Sequence, residues 1–333
     1  MAPDGRGILV TGGAGFIGSA VVRGALARYP ASRVVTLDAL TYAGSRANVA
    51  GLGDRHTFVE GDIRDGALVR RVMREHEGAL VVHLAAESHV DRSITGPAEF
   101  VSTNVLGTQS MLDAAREVWG DAGDVRFHHV STDEVYGDLG PDDPAFTETT
   151  PYAPSSPYSA SKAGSDHLVR ASARTFGLPV SITNCSNNYG PRQYPEKLIP
   201  VVLARAVAGE PIPVYGDGGN VRDWLYVEDH ADAIWAVVER GAAGETYNVG
   251  GNAEVDNLTL VRTLCALLDE RRPDGAPHAD LITFVTDRPG HDRRYAVDTA
   301  KIERIGWRPR QSLATGLAAT VDWTLAHPDW HTP

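Results

Sequence analysis

The chain has 333 residues, 42% apolar and 22% charged, which suits a folded globular protein with a sizeable buried core. Its net charge of −12 is opposite to the basic footprint of a nucleic-acid binder, so no nucleic-acid partner is expected. Cys185 and Cys265 are too few for a disulfide scaffold or a zinc cluster, and no metal site is expected.

In chain order, Ile8–Thr11 reads as a strand, followed by glycines and a helix from about Gly15 to Tyr29. Arg33–Asp38, His56–Glu60, Leu80–Leu84, Arg126–Val130 and Pro179–Thr183 read as further strands. Val101, Val105, Thr108, Leu112 and Ala115 recur at helical spacing between the fourth and fifth. This alternation predicts an α/β fold: a doubly wound, Rossmann-type parallel sheet with helices on both faces. Ligands then bind beyond the carboxyl ends of the strands. After Asn184, prolines 191, 195, 200, 211 and 213 break the alternation. The expected organisation is a mainly cofactor-binding domain over 1–186, revisited around 223–250, and a smaller mixed α/β lobe over 187–333. Arg271–Pro277 reads as a surface loop. No apolar run approaches the ~18 residues of a membrane helix. No signal-peptide core precedes the first glycines, so a cytoplasmic location without a membrane partner is expected.

Thr11-Gly12-Gly13-Ala14-Gly15-Phe16-Ile17-Gly18 follows the first strand and opens a helix. Such glycines permit a tight turn, and the helix N-terminus offers N–H donors to a pyrophosphate. Asp38, at the end of the second strand, can accept both ribose hydroxyls of NAD and would repel the 2′-phosphate of NADP. Asp62 either meets the adenine or caps the next helix.

Tyr158 and Lys162 are four apart, one helical turn on one face. An ammonium beside a phenol favours the phenolate, which can exchange a proton with a substrate hydroxyl during hydride transfer. Only three lysines occur, so about 0.1 such pair is expected by chance. Thr132, Asp133 and Glu134 follow the fifth strand, where chemistry is expected. Two neighbouring carboxyls in different environments can serve as acid and base. His83, His89, His128 and His129 lack metal-ligand spacing and read as structural.

With TGGAGFIGSAVVR from Thr11, HLAAESHVDRSITGP from His83, STDEVYGDL from Ser131 and SPYSASKAGSDHLVR from Ser156, the chain resembles the extended short-chain dehydrogenase/reductases. NCSNNYGP from Asn184, RDWLYVEDH from Arg222 and DRPGHDRRYA from Asp287 continue the resemblance, and the adjacent Asp133-Glu134 pair narrows it to the dTDP-glucose 4,6-dehydratase subfamily. It covers nearly the whole chain. One departure is a loop between Tyr136 and Tyr158 that is shorter than in some members.

The resemblance implies an NAD-dependent lyase that converts dTDP-glucose to dTDP-4-keto-6-deoxyglucose, with Thr132, Asp133, Glu134, Tyr158 and Lys162 catalytic. It implies that Gly12, Gly15, Phe16, Ile17, Gly18, Asp38, Leu40, Thr41, Asp62 and Ile63 surround the cofactor. Leu84, Ala85, Ala86, Glu87, Thr103, Tyr158, Lys162 and Asn188 would complete that set. Ser88, Thr132, Asn187, Glu196, Lys197 and Leu198 would hold the nucleotide sugar. So would Pro213, Tyr215, Arg222, Asn257, Arg288 and His291, with Arg222 and Arg288 suited to a diphosphate. A homodimer is implied, pairing helices over Pro97–Trp119 and Ser156–Phe176. The alternatives are a dehydratase of another nucleotide sugar such as UDP-glucose, or a 4-epimerase or decarboxylase. Adjacent Asp133 and Glu134 argue against the epimerase.

Overall fold

The structure, a computed structural model, describes residues 5–275 and 277–331. Short β-branched runs become strands buried on both faces, because alternate residues of each strand enter different helical layers. Strands β1 (Gly7–Thr11), β2 (Arg33–Asp38), β3 (His56–Glu60), β4 (Gly78–His83), β5 (Arg126–Thr132) and β6 (Val180–Cys185) alternate with helices. Together with β10 (Thr246–Val249) they form one parallel sheet in the order β3-β2-β1-β4-β5-β6-β10. The order reverses between β1 and β4, and this crevice is where open α/β sheets bind ligands.

Leu9, Val35, Leu37, Val81, Phe127 and Ile182 face one layer, built from α2 (Gly66–Glu75), α5 (Thr108–Trp119) and α6 (Pro157–Phe176). Ile8, Val10, Val34, Leu80 and Val82 face the other, built from α1 (Phe16–Arg28) and α8 (Val227–Arg240). Trp235 of α8 is fully buried against α1. Its ring stands edge-on to Tyr29 at 5.4 Å, and its Nε1 donates to the Val21 carbonyl.

The 97–119 segment is not one α-helix. After a short α3 (Val90–Thr95), α4 (Pro97–Phe100) gives way to a π-helical stretch over Val101–Gly107 before α5. The apolar stripe therefore splits. Of its members Thr108, Leu112 and Ala115 are buried, whereas Val101 stays exposed at 50%, as does the neighbouring Leu106 at 61%. Asn104, inside the π-stretch, is buried.

From Asn187 the chain builds a lobe of β7 (Asn187–Tyr189), α7 (Leu198–Ala208), β8 (Ile212–Tyr215), β9 (Val221–Tyr226), β11 (Glu254–Asp256), α9 (Asn257–Arg271), β12 (Ile282–Val285), α10 (Ala300–Arg304) and α11 (Leu313–Ala326). Its core gathers Leu203, Ile212, Trp224, Leu264 and Val321. Between building β9 and β11 the chain returns to the main sheet through α8 and β10. The loop expected after Arg271 includes Ala276, which lies outside the described residues. Among the described residues no helix is long and apolar enough to cross a membrane.

Candidate active site

The turn after β1 is shaped by steric necessity. Gly12 has φ +68°, and a Cβ there would stand 2.7 Å from the Ala85 nitrogen. A Cβ on Gly18 would meet the Gly12 carbonyl oxygen at 2.1 Å. Helix α1 starts after Gly15 without a side-chain cap, so its first N–H groups can face a ligand. Asp38 closes β2. Its Oδ2 accepts from Ala14 N at 2.9 Å and its Oδ1 from Leu40 N at 2.8 Å. Burial pushes this carboxyl up, and the two N–H groups oppose that.

A cavity of about 390 Å³ runs along the strand ends from this turn. Its cofactor-side wall contains Gly12, Gly15, Phe16, Ile17, Gly18, Asp38 and Thr41, then Asp62, Ile63 and Thr103. Leu84, Ala85, Ala86 and Glu87 continue it from the end of β4, and Asn188 from β7. Leu40 is not on the wall; its contribution is the N–H held by Asp38. Asp62 does not cap α2, which Asp65 does by accepting from Ala67 N and Leu68 N. Asp62 instead pairs with Arg64 at 2.6 Å, which pulls its carboxyl down.

The chemistry-bearing groups meet at the other end. Thr132 ends β5; its hydroxyl donates to Asp133 Oδ1 and accepts from Glu134 N, both at 3.3 Å. Asp133 is 1% exposed, and its Oδ2 has no hydrogen-bond partner. Burial, then the Glu134 charge, pushes the Asp133 carboxyl well up, so it holds its proton. Glu134 is pushed up by burial too, but Lys197, Arg288 and Arg222 pull it back. Two adjacent carboxyls thus sit in different environments.

Helix α6 places Tyr158 and Lys162 on the same wall. Its start follows from its sequence. Ser156 and Ser159 form a reciprocal capping box around Pro157, and Gly177 ends the helix in the left-handed region. The spacing predicts a phenol lowered by the lysine, and here the structure differs. Burial and the Glu134 charge push the Tyr158 phenol well up. The Lys162 ammonium donates to the Val130 carbonyl at 2.9 Å. In this arrangement Tyr158 is a neutral acid and Lys162 addresses the backbone.

Of the residues implied for the sugar nucleotide, Ser88, Thr132, Asn187, Glu196, Lys197 and Leu198 line the cavity. Pro213, Tyr215, Arg222, Asn257, Arg288 and His291 do not; they stand in the lobe beyond it. Pro213 pairs across β8 with Thr283 of β12. Arg288 reaches Asp91 at 3.0 Å, and Tyr215 packs edge-on against His291 at 6.2 Å. His291 contacts Asp287 at 2.6 Å. Arg222 is buried, donating to the Asp292 carbonyl at 2.8 Å and stacking on Tyr295. Asn257 opens α9 with a buried, unpartnered Oδ1.

Sequence reasoning misses Asn104. Its Oδ1 accepts from Glu87 N at 2.8 Å, and its Nδ2 donates to the Glu87 carbonyl and to Ser161 Oγ. It ties the loop after β4 to α6. The available signal was an amide beside the apolar stripe. The four histidines are held by neighbours: His83 lies between Thr11 and Thr108, and His128 between Ser181 and Thr183. His129 faces Asp166, and His89 accepts from Arg92 N at the start of α3. Among the described residues no cluster of three or more His, Cys, Asp or Glu could hold a metal.

The family profile described as GDP-mannose 4,6 dehydratase matches residues 9–320. A dTDP-glucose 4,6-dehydratase of Xanthomonas campestris is 58% identical over 332 residues, covering 97% of this chain and 94% of the relative. One from Salmonella typhimurium is 55% identical over 339 residues, with the same coverage. The crystal structure of DesIV, a dTDP-glucose 4,6-dehydratase of Streptomyces venezuelae with NAD and TYD bound, superposes with a TM-score of 0.89. It is 49% identical and covers 97% of this chain and 98% of its own.

Proposed function

The chain belongs to the GDP-mannose 4,6 dehydratase family, and from that premise we propose that it dehydrates dTDP-glucose to dTDP-4-keto-6-deoxyglucose with NAD as a regenerated cofactor. The observation that carries this reading is the pair of adjacent buried acids in one cavity with Tyr158 and Lys162: burial pushes Asp133 well up, while Glu134, also pushed up, is opposed by Lys197, Arg288 and Arg222. A simple oxidation or epimerisation at carbon 4 has no use for a second acid–base couple. Elimination of water needs one.

The glycine cradle and the uncapped start of α1 fit a dinucleotide, with Asp38 held by two N–H groups toward the adenosine ribose. Bound NAD supplies the redox chemistry, taking a hydride from carbon 4 and returning it to carbon 6. Tyr158, neutral in the resting site, acts as a phenolate once the Lys162 ammonium and the bound cofactor favour that form, and accepts the proton of the 4-hydroxyl. Thr132 donates a hydrogen bond to the new 4-keto oxygen, which acidifies the proton on carbon 5. Glu134 takes that proton and returns it to carbon 5 when the hydride reaches carbon 6. Asp133 gives its proton to the departing 6-hydroxyl, and water leaves. The 1–186 portion with α8 and β10 holds the cofactor in this reading, and the lobe from 187 holds the sugar nucleotide. Substrate would draw Arg222, Arg288, Asn257, Tyr215, Pro213 and His291 toward it, with Arg288 exchanging Asp91 for a diphosphate.

The protein acts as a homodimer in the cytoplasm in this reading. Ile94, Val101, Leu106 and Phe176, all exposed on or beside the two implied helices, support the pairing. The deciding experiment incubates purified protein with dTDP-glucose, without added NAD, alongside UDP-glucose. Mass spectrometry should show loss of one water from the dTDP sugar. An unchanged mass, with or without added NAD, would refute the assignment.

A further inference from the structure

Tyr158 can serve as a base only while Lys162 is charged, yet Lys162 is 4% exposed, and burial pulls its ammonium below the usual lysine range. Something in the interior must oppose that. Four residues further along α6 lies Asp166, fully buried one helical turn from Lys162. Its Oδ2 accepts from Ser131 Oγ at 2.9 Å and from the Tyr152 hydroxyl at 2.8 Å. Its Oδ1 stands 3.1 Å from His129 Nε2. The Tyr152 hydroxyl in turn accepts from Arg170 at 2.6 Å and from Asn184 at 3.0 Å. This is a built, buried polar nest, and the dehydration steps above make no use of it.

We propose that Asp166 is a positioning residue for the reaction: a buried counter-charge, anchored by Ser131, Tyr152 and His129, that keeps Lys162 an ammonium. The groups packed around Lys162 leave this task to Asp166. On β4, His83 is held neutral by burial, and on β5 burial takes His129 down to about 4, so neither adds a cation. On β6 the Cys185 thiol is pushed up and stays protonated. Beyond β5, Asp133 keeps its proton, and Glu134 faces Lys197, Arg288 and Arg222. On α6, Tyr158 is neutral and Arg170 is engaged with Tyr152. Asp166 remains ionised: burial pushes it up, but the His129 contact and the Lys162 charge outweigh that. In an interior of low effective dielectric, a charge one helical turn away acts strongly without direct contact.

The inference rests on the role given to Lys162 above. It can be read without substrate, because the chain has three lysines. Lysine labelled with 13C at Cε gives three NMR signals in the full protein, and the Lys162 signal is assigned by its loss in Lys162→Arg. In Asp166→Asn the Lys162 midpoint should fall by about one pH unit or more. Lys301, paired with Glu245 at the surface, should stay where it is. The alkaline limb of sugar-dependent NADH formation should move down with Lys162. Ser131→Ala, which removes a hydrogen bond but no charge, should leave the midpoint in place. An unchanged Lys162 midpoint in folded Asp166→Asn overturns the proposal. Should that variant not fold, the wild-type titration decides: a midpoint above neutrality supports a sustained ammonium, and one below it overturns the idea. A shifted midpoint in a protein that leaves dTDP-glucose intact would refute the dehydratase reading and keep the counter-charge.

Discussion

At the residue scale, the site divides its labour between two carboxyls that share a peptide bond. Burial pushes the Asp133 carboxyl well up; it raises Glu134 too, but there Lys197, Arg288 and Arg222 oppose it. Glu134→Gln should block loss of water, lowering turnover by about 10²–10⁴-fold, while sugar still reduces some bound NAD; absorbance at 340 nm and product mass separate the two. Tyr158→Phe should suppress NADH formation itself. Asp133 also has a stability signature. Its folded-state pKa is raised, so its contribution is fully present below the unfolded value of about 3.9 and is lost as pH rises through the raised one. Asp133→Asn should therefore be inactive, with a Tm advantage over wild type that grows as pH rises above the unfolded value, read by calorimetry. A Tm difference independent of pH would contradict the buried-acid reading. The Tyr158/Lys162 spacing and the Asp133–Glu134 pair were legible because each is local: four residues on a helix, or one peptide. Asn104 and Asp166 were not, since their partners come from other elements.

At the element scale, most strands could be read from their apolar runs, because a parallel strand covered on both faces shows its burial directly in its composition. β2 and β3 coincide with the expected bounds. The π-helical stretch could not be read, because apolar spacing near 3.6 does not reveal one inserted residue. It turns Asn104 inward to hold Glu87 by both backbone groups. Asn104→Ala leaves these partly buried groups without their partner, at a cost of up to about 1 kcal/mol each. It should weaken NAD retention, measured as cofactor carried through purification. At the start of α6, Ser156→Ala removes the capping box and should cost about 1 kcal/mol in denaturant unfolding.

At the scale of the whole molecule, the sheet's order reversal puts the cavity where the resemblance implies it, but the lobe's arginines were beyond reach. Nothing local in the sequence tells that Arg288 meets Asp91, 197 residues earlier, or that Arg222 turns to the Asp292 carbonyl. The exposed Leu106 carries a global prediction as well. If the 97–119 and 156–176 helices pair between subunits, Leu106→Glu should shift the protein toward monomer in analytical ultracentrifugation, while wild type sediments as a dimer.

The return of the chain through α8 and β10 has a consequence for biosynthesis. A ribosome that has made the first 186 residues has made six of the seven sheet strands, but α1 still lacks Trp235 against Tyr29 and Val21. At ~5–20 residues per second, the apolar face of α1 waits on the order of ten seconds for its cover. In that interval the nascent chain presents the side of α1 around Val21 and Gly24, where Trp235 will pack, to whatever meets it at the tunnel mouth. A chain released before Trp235 would carry that exposure permanently. The early domain is thus first to emerge and among the last to close.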